Sequence, residues 1–76
     1  MNNTRRKAIQ KIFDQLEELM QEIEALQEEE QDALDNLPES LQESERGQAM
    51  QDAADNLEYA ASSAQEALDY LEEAMQ

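Results

Sequence analysis

The sequence predicts an all-α protein: an antiparallel two-helix hairpin with a short Pro-containing hinge, dimerising into a four-helix bundle. Three observations predict it. The 76 residues include one Gly, one Pro and no Val, and they are rich in Ala, Leu, Glu and Gln, which suits helix and argues against strand. Two long stretches each carry apolar residues at helical spacing, and a single Pro separates them. High net charge with few aromatics is also the signature of disorder. The periodicity decides for a folded chain.

The first helix is predicted over residues 3–36. At about 100° per residue, Ile9, Ile12, Phe13, Leu16, Leu19, Met20, Ile23, Leu26 and Leu34 fall in one stripe about 120° wide. Asn2, Asn3 or Thr4 supplies the start signal, and Leu37-Pro38 makes continuation past Asn36 unfavourable. Gln27 and Glu30 interrupt the stripe, and an acid there needs solvent or a partner.

The hinge is predicted over residues 37–44. Asn36 is expected to cap a single turn with Pro38 near its first position, while Leu37 and Leu41 fold back to plug the end of the bundle. The second helix, residues 45–75, carries Met50, Ala53, Ala54, Leu57, Ala60, Ala61, Ala64, Leu68, Leu71 and Met75 on one stripe. Ser44 is its natural cap, with Glu45 favourable at the positive end of the dipole. So short a connection makes the two helices antiparallel neighbours.

Charge supports the hairpin independently. Residues 1–11 carry +4 and residues 12–76 carry −19, which gives the net −15. Arg5, Arg6, Lys7 and Lys11 open the first helix, and Glu66, Asp69, Glu72 and Glu73 close the second. Each cluster sits at the wrong end of its own helix for the macrodipole, and an antiparallel hairpin places the two side by side. Arg46 is the lone basic residue after Lys11; it is expected either to pin the hinge against Glu30, Asp32 or Asp35, or to receive an anion.

The same composition excludes whole classes of function. With no His, Cys or Trp, the chain has no imidazole base, no thiol nucleophile and none of the usual soft metal ligands, so no catalytic residue, cofactor site or metal site is predicted. Glu28, Glu29, Glu30 and Asp32 are dense, but consecutive helical residues diverge by about 100° and cannot converge on one ion. So negative a chain repels nucleic acid and anionic membranes. No apolar run is long enough for a membrane span or a signal peptide, and the chain is expected to stay in the cytoplasm where it is made. A single core of this size supplies little stability without disulfide or metal, so self-association is expected.

Two groups of residues stand out as candidate sites. The hinge group is Asn36, Pro38, Glu39, Leu41, Gln42, Ser44 and Arg46, a candidate surface for a partner or ligand. On the second helix Asn56, Tyr59, Ser63, Ala67, Tyr70 and Ala74 form another stripe of small and amphipathic side chains, a candidate homo-oligomer face that another helix can approach closely.

The run Asp35-Asn36-Leu37-Pro38-Glu39-Ser40-Leu41-Gln42-Glu43-Ser44-Glu45-Arg46-Gly47, followed by an acidic Ala-rich helix with Asp55-Asn56-Leu57-Glu58, resembles a group of short, uncharacterised acidic proteins of phages and prophages of gut Firmicutes. The resemblance implies a phage-type accessory protein that binds a host protein stoichiometrically, host defence systems included. The chain's acidity adds an alternative, a DNA mimic that inhibits a DNA-binding or defence enzyme. Two others are an oligomeric sponge for a small anionic nucleotide signal near Arg46, and a small structural or scaffold protein.

Overall fold

The computed structural model describes residues 1–76. Three helices follow in order, α1 (Asn3–Asp35), α2 (Glu39–Gln42) and α3 (Glu45–Met75), with no strand. The two long helices pack against each other. The hairpin is a rod of 58 × 14 × 12 Å.

Capping sets the helix ends. The Arg5 amide donates to Asn2 Oδ1 at 2.8 Å, so Asn2 fills the first orphan-donor position of α1. At the other end Asn36 keeps a helical backbone and its amide donates to Asp32 O at 3.0 Å. Asn36 is thus the C-cap of α1 rather than the cap of the hinge turn. That role belongs to Pro38, whose extended backbone turns its carbonyl toward the next amides: Leu41 N and Gln42 N donate to Pro38 O at 2.8 and 3.2 Å. Having no amide proton, Pro38 cannot extend α1, but its carbonyl can still start α2.

The seam between α1 and α3 is a regular heptad. In α1 the residues turned inward are Ile9, Phe13, Leu16, Met20, Ile23, Gln27, Glu30 and Leu34; in α3 they are Gly47, Met50, Ala54, Leu57, Ala61, Ala64, Leu68, Leu71 and Met75. All are buried or half-buried, at alternating spacings of three and four. The register is tied at both ends, with Arg6 Nε donating to Met75 O at 3.0 Å and Leu34 sharing a groove with Gly47 and Gln51.

This seam is narrower than the 120° stripe expected of the first helix. Ile12, Leu19 and Leu26 lie outside it and remain 52%, 54% and 53% exposed. One helix cannot cover a stripe wider than its own contact face. Ala53 and Ala60, expected in the core stripe of the second helix, are likewise exposed. Leu34, Ala54 and Leu68 are the buried apolar side chains, a small core for 76 residues.

The hinge is held by close backbone packing. A Cβ on Gly47 would lie 2.6 Å from Leu41 O and closer still to Gln42 O, so the backbone of α2 passes where any other residue would place a side chain. Ser44 caps α3 by accepting from Gly47 N at 3.3 Å, and its hydroxyl donates to Leu41 O. Gln42 Nε2 donates back to Leu37 O at 3.0 Å and Asp35 O at 3.4 Å. Three consecutive elements are thereby tied without an ion pair.

Candidate functional site

A heptad seam has two flanks, and here they differ in chemistry. In an antiparallel pair whose heptads open on Phe13, Met20 and Gln27 in α1 and on Gly47, Ala54, Ala61 and Leu68 in α3, the positions just after the second seam residue of each heptad on one helix lie beside their counterparts on the other. The positions just before the first seam residue meet on the opposite side.

The first flank is polar. It consists of Gln10, Glu17, Glu24 and Gln31 from α1 with Gln51, Glu58, Gln65 and Glu72 from α3. Glu24, Glu58 and Gln65 line one shallow groove together with the seam residues Met20, Gln27 and Ala61, which places both helices' members on the same side. Each glutamine of this flank donates to an aspartate four residues on. Gln10 bonds Asp14 at 2.9 Å, Gln31 bonds Asp35 at 3.0 Å, Gln51 bonds Asp55 at 2.9 Å and Gln65 bonds Asp69 at 3.0 Å. Such local bonds suit a surface facing water.

The second flank is apolar. It consists of Ile12, Leu19, Leu26 and Ala33 from α1 with Ala53, Ala60, Ala67 and Ala74 from α3. The same heptad position one turn of the pattern earlier holds Arg5 at the open end of α1 and Arg46 at the hinge end of α3, both exposed. Sequence reading placed Ile12, Leu19, Leu26, Ala53 and Ala60 in the core stripes and Ala67 and Ala74 on the candidate oligomer face, and it passed over Ala33; the seam repeats at the same interval of seven as this flank, so only the position of α3 separates the two.

Of the hinge candidates, Gln42 and Ser44 are half-buried and occupied by the chain's own backbone, while Asn36 caps α1 and Pro38 starts α2. Glu39, Leu41 and Arg46 point outward. Gly47, which carries the close approach, was absent from the candidate group. Glu30 is half-buried on the seam, and no buried side-chain nitrogen or oxygen lacks a hydrogen-bond partner. At the basic end, Arg6 reaches the carbonyl of Met75, so a cation from α1 meets the negative end of the α3 dipole.

Along the candidate oligomer stripe, Ala67 and Ala74 belong to the apolar flank, and Asn56, Ser63 and Tyr70 lie one position further round α3. Tyr59 lies beyond them, 64% exposed, and Tyr70 is 76% exposed. No three carboxylates come together closely enough to hold a metal ion, and no helix is long and apolar enough to cross a membrane. No protein-family model, curated protein or solved structure matches the chain.

Proposed function

We propose that this chain is a non-enzymatic, self-associating helical hairpin that dimerises into a four-helix bundle and acts by stoichiometric binding to a host protein, in the manner of a phage accessory protein. The observation that carries the reading is the distribution of its side chains. Of its 20 carboxylates, 18 are exposed along a 58 Å rod, while large apolar side chains stand uncovered between them. Such a surface offers area and charge to a macromolecule, and no enclosed cleft to a small substrate.

A second reading, the acidic DNA mimic, is favoured by one quantity. Two copies side by side carry a net −30 over 58 Å, about one charge per 2 Å, close to the roughly 1.7 Å per charge of duplex DNA. A protein that normally holds DNA is therefore a partner of fitting charge.

The immobilised full chain, mixed with host lysate at low salt, is expected to retain one protein in a fixed molar ratio. Displacement of that protein by duplex DNA supports mimicry, and retention despite DNA supports a different binding surface. Retaining nothing above a charge-matched control overturns the binding function.

A further inference from the structure

We infer that the apolar flank, rather than the tyrosine stripe of α3, is the surface on which a second copy of this chain docks. The inference rests on the self-association proposed above and specifies where it occurs.

Area is the first argument. A face of 58 by 14 Å outlines on the order of 800 Å², enough room for the area each partner buries in a stable interface. Its centre is a row of half-exposed large side chains, Ile12, Leu19 and Leu26, level with a row of alanines from α3, so a neighbouring helix can approach closely on one half and be gripped on the other. The opposite flank has glutamines bonded to their own helix and carboxylates from both helices in one groove, which a second acidic copy would have to desolvate.

Charge complementarity is the second argument, and it identifies the occupant. Arg5 and Arg46 stand at diagonally opposite corners of the apolar flank. The other two corners are helix C-termini: the hinge end of α1, where Glu29 borders Ala33, and the open end of α3, where the last turn beside Ala74 carries the negative end of the helix dipole. A two-fold axis lying in this face, whether it runs along the rod or across it, exchanges the two diagonals. Each arginine of one copy then stands over a negative helix C-terminus of the other, and no arginine meets an arginine. A closed two-fold pair is thus charge-matched at all four corners, although each copy carries −15.

Sedimentation across a concentration series tests this with three proteins. The natural chain is expected to form a two-copy species. Leu19→Glu, at an exposed position, is expected to raise the dissociation constant at least ~100-fold while keeping the helical circular dichroism of the parent, because a charge is forced into the interface. Tyr59→Glu is expected to leave the dissociation constant unchanged. A natural chain that is monomeric throughout overturns self-association altogether. A dimer that survives Leu19→Glu, or one that Tyr59→Glu divides, overturns this face and leaves self-association standing.

Discussion

The two flanks of the rod share the same helices and the same seam, yet one is finished and the other is not. On the polar flank, four glutamines bond aspartates one turn on, and the carboxylates beside them face solvent. On the apolar flank, Ile12, Leu19 and Leu26 remain about half exposed with nothing of their own chain left to cover them. The difference teaches that amphipathicity in a hairpin is settled twice, once by the neighbouring helix and once by whatever meets the remaining edge. The seam holds the hairpin together, and the flanks are the surfaces it leaves to the surroundings.

Both flanks hang on the seam, so the largest effect comes from breaking it. Leu68→Ala removes the largest fully buried side chain and is expected to cost about 3 kcal/mol in urea unfolding, with both flanks losing their geometry together. Gly47→Ala drives a methyl group into the Leu41 and Gln42 carbonyls and is expected to cost about 2 kcal/mol, despite the better helix propensity of Ala. Gly47→Ala is expected to loosen α2, and faster amide exchange at Leu41 and Gln42 is the local sign to look for.

Making one flank resemble the other gives the next effect. Leu19→Gln with Leu26→Gln extends the polar pattern to the apolar side. The melting temperature of the natural chain is expected to rise with protein concentration, and that of the double variant to lose the dependence. The reciprocal change is smaller. Glu24→Gln with Glu58→Gln removes like charges from one groove and is expected to raise stability by less than about 1 kcal/mol at low salt, with sedimentation unchanged. Smallest of all, Gln51→Ala deletes one bond to Asp55 and is expected to cost about 0.3 kcal/mol by thermal melting.

Much of this architecture was legible in the residues. Helix-forming composition, Pro38 as a break and Ser44 as a cap all rest on local rules, and local rules act over a few residues whatever the tertiary context. The membership of the seam was less legible. At 100° per residue Ile12 and Phe13 look alike, and only the position of α3 assigns Phe13 to the seam and Ile12 to an edge. Gly47 was hidden for a related reason: its need for a missing side chain comes from the path of α2, which no local pattern encodes. The hinge candidates divide along the same line. Gln42 and Ser44 are spent on the backbone, whereas Glu39, Leu41 and Arg46 stay outward and remain open to a partner.

Solution X-ray scattering on the purified natural chain tests the central claim most directly, because it reports mass and length together. A second copy docked along the apolar flank gives twice the 8.7 kDa of one chain in a particle that stays close to 58 Å long and thickens across its short axes. A mass of 8.7 kDa at every concentration, or a doubled mass in a markedly longer particle joined end to end, would contradict it.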